Sequence, residues 1–405
     1  MIKYWLVIMA ALGLVVAPAP PVQAQISDGV IKIGVLTDMS SLYADLSGQG
    51  SVIAARMAVE DFGAAKKGMK VEIISADHQN KADVGSGIAR QWLDSDKVDV
   101  IVDTPNSAVA LAVSQIVKEK GKAFLVSGAA SSDLTGKACS PNTIHWTYDT
   151  WALANGTGSA IVKTGGDTWF FLTSDYAFGH ALERDTEAVV LKNGGKVLGK
   201  VRHPLNTADF SSFLLQAQSS KAKIIGLANA GGDTTNAIKQ AAEFGIVKGG
   251  QSLAGLLVFI TDVHALGLPT AQGLIMTEAF YWDRTPQTRA WSERFAKLHK
   301  GAMPTMAQAG VYSATLHYLK AAEAINSDDG LKVIAQMKKM PTDDPLFGKG
   351  TIRADGRKMH PAYLFEVKSP AESKYPGDFY KLRATIPAEE AFRPLNEGNC
   401  PLVKG

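Results

Sequence analysis

The stretch VDVIVDTPNSAVALAVSQIVKEKGKAFLVSGAASSDLT, residues 98–135, decides the fold. VDVIVD (98–103) and AFLVS (123–127) are short, nearly continuous apolar runs. Runs of that kind read as strands buried on both faces. Between them lies a segment whose apolar residues predict a helix near 107–120. Two buried strands separated by one helix form a parallel βαβ unit. Each strand delivers a cluster of small hydroxyl residues, glycines and alanines at its carboxyl end. The first is Thr104-Pro105-Asn106-Ser107 and the second Ser127-Gly128-Ala129-Ala130-Ser131-Ser132.

The same alternation extends in both directions. Upstream, IKIGVL (31–36) ends in Thr37-Asp38, and KVEIIS (70–75) reads as the next strand. Ile53, Met57 and Phe62 mark one intervening helix, and Val84, Ile88 and Trp92 at four-residue spacing mark another. Downstream the series restarts with a helix near 149–164. Strands are predicted at TWFFLTS (168–174), KVLGKV (196–201), AKIIGLA (222–228), LLVFI (256–260) and GLIMTEAF (273–280). Residues 286–299 and 305–325 read as long amphipathic helices. FGKGTIRAD (347–355), Gly356 and HPAYLFEVK (360–368) suggest an antiparallel hairpin, and a Pro-rich, weakly periodic tail runs from Ser369 to Gly405. The fold class is α/β, with one half followed by another.

Composition narrows the function. A chain of 405 residues is too long for one compact core, so two domains are expected. The net charge of +3 offers no basic field for nucleic acid or an anionic membrane surface. Two cysteines, Cys139 and Cys400, exclude a disulfide-dense scaffold and a cysteine-built metal site. The first 24 residues read as a secretory signal. Lys3 precedes an uncharged run from Tyr4 to Ala17, and Val22-Gln23-Ala24 offers small residues at the cleavage site. The rival reading is a membrane anchor, but the run falls short of the roughly 20 residues needed to span a bilayer. Outside the cytoplasm a Cys139–Cys400 bridge is expected, since Cys400 lies in a tail that needs tethering. Two buried free thiols are the alternative.

In open parallel sheets, ligands bind beyond the carboxyl ends of the strands. Those ends carry Ser, Thr, Gly and Ala leading into helix N-termini, a set that suits a carboxylate. Ordinary helix capping accounts for any one of them. Tyr43, Tyr176 and Phe178 follow strand ends too, and aromatic residues there suit a flat or apolar ligand body. No P-loop, no G-x-G-x-x-G after the first strand, no G-x-S-x-G and no H-E-x-x-H occurs. No nucleophile–base pair stands out, so the protein is expected not to be an enzyme and to need no cofactor.

The opening IKIGVLTDMSSLYADLSGQG with AARMAVEDFG, the central 98–135 stretch, SDYAFGHAL, IKQAAEFG and FGKGTIRADGRKMHPAYLF together resemble the branched-chain amino-acid-type solute-binding proteins of ABC transporters. The resemblance covers nearly all of the mature chain. It rests on the order and spacing of these pieces. It implies the type I periplasmic binding fold: two Rossmann-like lobes with parallel sheets joined by three crossover strands. The N-terminal lobe would take 25–147 and 281–345, and the C-terminal lobe 148–280 and 346–405. It implies a periplasmic monomer that closes on a small carboxylate and presents it to a membrane permease. The carboxylate would lie at Asn106, Ser107, Ala129, Ala130 and Ser131. Tyr43, Tyr176, Phe178, Asn229 and Asp262 would complete the site. The family's Tyr-Gly pair reads Phe178-Gly179 here, which costs a hydroxyl and turns the expectation from amino acids toward aromatic acids such as benzoates and phenylpropenoids. Branched-chain amino acids are the alternative ligands, with Asp262 meeting the ammonium. A sensory ligand-binding protein is a second alternative function, and a secreted α/β enzyme a third.

Overall fold

A computed structural model describes residues 26–403; the expected signal segment lies outside them. The first lobe holds a five-stranded parallel sheet. Its strands are β1 (Ile31–Thr37), β2 (Val71–Asp77), β3 (Val100–Asp103), β4 (Ala123–Val126) and β5 (Thr143–His145), in the order β2-β1-β3-β4-β5. Every residue of β3, β4 and β5 is buried, as their unbroken apolar character requires. The second lobe holds β6 (Thr168–Ser174), β7 (Lys196–His203), β8 (Ile224–Ala228) and β9 (Ser252–Gly255) in the parallel order β7-β6-β8-β9. β7 lies at the sheet edge and alternates exposed with half-buried residues along most of its length.

The helices start and stop where their end residues dictate. Asn106 caps Ser107–Lys120 by accepting from the Ala108 and Val109 N–H groups, and Gly121 closes it at φ 66°. Thr305 caps Met306–Ile325, which packs against Gly48–Phe62 and the first sheet. The contact is close enough that a Cβ on Gly50 would lie 2.2 Å from Gln308 Nε2. The helix predicted near 149–164 forms as Thr150–Leu153 and Ser159–Lys163 around a π-helical turn, Ala154–Gly158. The Thr157 hydroxyl meets that of Thr277 at 2.9 Å within this turn.

The chain crosses between the lobes three times: after β5, after β10 (Ile275–Glu278), and between helix Gly330–Lys339 and the C-terminal strands. Three sequence expectations are corrected there. LLVFI is not a strand: β9 ends at Gly255, and Leu256–Phe259 lead into helix Ile260–Leu266. Their apolar run arises because they bury themselves beyond the strand end. The expected hairpin also pairs differently. β11 (Thr351–Ile352) pairs with β12 (Lys358–Met359), while β13 (Ala362–Val367) joins β10. The tail is not wholly irregular. Tyr380–Ile386 forms β14, antiparallel to β13. It is an exposed edge strand, and its mixed polar sequence gave no clear alternation. Cys139 and Cys400 are joined across 261 positions, with their Cα atoms 5.6 Å apart. Among the described residues no helix is long and apolar enough to cross a membrane.

Candidate functional site

The cleft between the lobes lies at the carboxyl ends of both parallel sheets. From the first lobe, Tyr43 and Leu46 follow β1, Pro105 follows β3, and Gly128 and Ala130 follow β4. From the second, Tyr176, Phe178 and Ala230 face them, with Leu257 and Phe259 beyond β9. Tyr148, on the first crossover, completes the wall. The space they enclose in this structure is narrow, about 10 Å³. None carries a charge.

Local chemistry holds each wall. The Asp38 carboxylate accepts from the N–H groups of Ser41 (3.0 Å) and Tyr43 (2.9 Å), which folds the loop after β1 toward the cleft. The Tyr43 hydroxyl then meets the Tyr176 hydroxyl at 2.5 Å, spanning the lobes. Tyr176 and Phe178 open helix Ala177–Lys192. A Cβ on Gly179 would lie 2.0 Å from the Ser174 carbonyl oxygen, so only glycine lets that helix sit so close to β6. At the end of β3, Asp103 (φ 78°) and Thr104 (φ 61°) are both left-handed and turn the chain out to Pro105. Tyr148 donates to the Gly128 carbonyl at 2.5 Å and meets Phe259 edge to face at 6.0 Å.

The expected site residues divide into four groups. Tyr43, Ala130, Tyr176 and Phe178 line the cleft together. Ser107 stands directly behind it. Its Oγ accepts from the N–H groups of Ala130 (3.3 Å) and Ser131 (3.1 Å), which fixes the loop that faces the cleft. Asn106, Ser131, Asn229 and Asp262 are not in the lining and spend their side chains on local structure. Asn106 caps its helix and donates to Asn80 Oδ1 at 2.6 Å. Ser131 Oγ accepts from the Asp133 N–H. Asn229 accepts from Thr234 Oγ1 at 2.7 Å and lies 3.1 Å from His203 Nε2. Asp262 accepts from the Phe259 N–H at 2.8 Å. Ala129 packs on the opposite side with Val126 and Leu134, and its carbonyl oxygen meets His145 Nε2 at 2.8 Å.

Pro105 and Gly128 belong to the two strand-end clusters of the 98–135 stretch, and Ala230 follows the end of β8. Tyr148 lies three residues past β5, a three-residue strand that the apolar pattern does not predict, so the strand-end rule does not reach it. Leu257 and Phe259 were hidden by their reading as a strand.

The electrostatics of the cleft favour neutral donors. Burial pushes the hydroxyls of Tyr43, Tyr148 and Tyr176 far up, so they stay protonated. Burial raises Asp262 to about 7, opposed by its bond to the Phe259 N–H and reinforced by the nearby charge of Asp45. Burial raises Asp103 to about 6 despite the hydrogen bond from Ser47 Oγ. Such a site offers the protonated hydroxyls of the Tyr43–Tyr176 pair in a space walled by rings. Among the described residues no group of His, Cys, Asp or Glu could hold a metal ion.

A family model described as periplasmic binding protein matches residues 30–374. The chain belongs to that family. As a periplasmic binding protein it is a solute-binding protein of the ABC-transporter type, a class that implies an extracytoplasmic location, a small-molecule ligand and a permease partner. Its family and fold are those of periplasmic substrate-binding proteins. Among solved structures, a periplasmic binding protein from Burkholderia mallei is 56% identical with a TM-score of 0.91, covering 93% of this chain and 100% of that one. A branched chain amino acid ABC transporter periplasmic ligand-binding protein from Burkholderia xenovorans LB400 is 41% identical with a TM-score of 0.81, covering 92% and 99%. An ABC transporter solute binding protein from R. palustris, in complex with 4-hydroxybenzoate, is 24% identical with a TM-score of 0.79, covering 89% and 97%. The last likeness speaks to the fold alone.

Proposed function

We propose that this periplasmic binding protein captures a small aromatic carboxylate and delivers it to its permease. The observation that carries the reading is a cleft lined by Tyr43, Tyr148, Tyr176, Phe178 and Phe259 with no charged side chain among its walls. A single aromatic ring packs well against edge-to-face and offset rings. Its carboxylate would meet the Ala130–Ser131 turn and the Ser107 hydroxyl behind it. The R. palustris protein holds a ligand of this chemistry on the same fold.

The second reading is a branched-chain amino acid, favoured by the name of the B. xenovorans relative. An ammonium would need an ionised carboxylate at the cleft. Asp262 already caps its own helix, and burial raises it to about 7.

A thermal-shift screen decides between them, because a bound ligand raises the unfolding temperature by mass action. Benzoate, 4-hydroxybenzoate and cinnamate are expected to raise it, and leucine, isoleucine and valine are not. The opposite pattern overturns the aromatic reading.

Ser107→Ala is expected to weaken binding of the aromatic acid by about 1 kcal/mol or more, through loss of a hydroxyl donor. It also leaves two buried N–H groups, those of Ala130 and Ser131, without their acceptor. Unchanged affinity in a titration of the variant removes Ser107 from the site.

A further inference from the structure

The loop that presents Ala130 to the ligand space is tied to the opposite lobe at a second place, away from the cleft. Ser132, fully buried, donates from Oγ to Asp185 Oδ2 at 2.7 Å. Thr150, at the start of the helix after the first crossover, donates from Oγ1 to the same oxygen at 2.6 Å. The Ser132 N–H donates to Thr150 Oγ1 at 3.0 Å, and the Thr150 N–H to the Ala130 carbonyl at 2.8 Å. Arg184 closes the network. Its Nε bonds Asp185 Oδ1 at 2.9 Å, its Nη2 donates to Ser132 Oγ at 2.9 Å, and its Nη1 lies 3.1 Å from Asp133 Oδ1.

Arg184 and Asp185 belong to helix Ala177–Lys192, whose first turn places Phe178 in the cleft. From residue 178 to residue 185 the helix advances about 10 Å. One rigid element therefore carries a ring wall of the ligand space at its start and a buried carboxylate bonded to the facing loop two turns later. A solute-binding site needs its two walls held at one separation. The hinge crossovers alone leave that separation adjustable. This network is a second tie between the walls. Each of its hydroxyls has an ionic partner, which makes the bonds short and directional.

We propose that Asp185, oriented by Arg184, is a positioning residue that registers the Ala130–Ser132 loop against the Phe178 wall and so biases the protein toward its closed form. The effect on an aromatic acid rests on the reading above; the bias toward closure does not.

The test compares wild type with Ser132→Ala, Asp185→Asn and the double variant. 4-Hydroxybenzoate, benzoate and leucine are titrated into each, X-ray scattering is recorded with and without each compound, and ligand-free unfolding is followed in urea. Each single variant is expected to bind the wild-type ligand about tenfold more weakly through faster dissociation, and to compact less on binding. The double variant is expected to be no weaker than the worse single one. A merely structural role would lower the unfolding midpoint and leave affinity and compaction unchanged, and that result overturns the proposal. If none of the three compounds binds wild type, the ligand reading fails. The ligand-free scattering then decides the positioning role: a larger radius of gyration in the variants supports it, and identical radii overturn it.

Discussion

Arg357→Ala is expected to cost about 3–5 kcal/mol of folding stability at pH 7, the usual result of removing one partner from a buried ion pair. Arg357 is fully buried on the third crossover. Its Nη1 reaches the Tyr148 carbonyl oxygen at 3.3 Å and Asp149 Oδ2 at 3.4 Å, and its guanidinium lies 4.4 Å from the Phe392 ring centre. Burial lowers its pKa to about 10, so it remains a cation at neutral pH. The neighbouring Asp149 carboxyl is raised by burial, and the Arg357 charge is the main influence that lowers it again. Without Arg357 that carboxylate is buried without its cation. Because the pair clamps the first crossover, which carries Tyr148, to the third, ligand affinity should fall as well. Urea unfolding checks the stability. Adding Asp149→Asn to Arg357→Met should restore part of the loss by removing the stranded charge. A loss below about 1 kcal/mol in the single variant would show that the pair is not buried as described.

Asp262→Asn is expected to stabilise the ligand-free protein at pH 8 and to leave it unchanged below about pH 4. Burial raises this carboxyl to about 7 in the folded protein, above the ordinary value of 3.8. A raised acid binds its proton more tightly when folded, so its contribution is fully present below the unfolded value. That contribution is lost as pH rises through the folded one. The window is therefore about pH 4 to 7, and the difference at its upper end is as much as about 4 kcal/mol. Asparagine keeps the oxygen that accepts from the Phe259 N–H and has no proton to lose. Unfolding free energies of both proteins across pH 4 to 8 should diverge with rising pH. Parallel curves would mean that Asp262 is ionised throughout. The result also bears on the ligand, because pairing with an ammonium would need the ionised form of Asp262.

Periodicity made most of the parallel architecture legible, since a strand buried on both faces has to be apolar along its length. It failed wherever the same apolar signal had another cause. Leu256–Phe259 are as apolar as a strand because they are buried beyond the end of β9, Leu257 and Phe259 at the cleft. β14 is a real strand with an exposed edge, so its side chains carry no alternation to read. In the site, the strand-end rule brought Tyr43, Ala130, Tyr176 and Phe178 to one cleft. It could not separate lining from capping. Asn106, Ser131, Asn229 and Asp262 sit within a few residues of the lining positions, but their short polar side chains reach the nearest backbone or side-chain partner.

An estimate of two domains and nearly balanced charge followed from composition alone, and the two α/β halves followed from the order of apolar runs. So did the small hydroxyl residues and aromatics at the strand ends. These are properties of local sequence, set by which residues tolerate burial and by which can turn a chain. Which of Ala129 and Ala130 lines the cleft, and the meeting of Ser132 with Asp185 across 53 positions, were decided only by the tertiary structure. Neighbouring side chains at a strand end point in different directions. A contact between two lobes depends on how both sheets are placed, and no short segment of the chain encodes that placement.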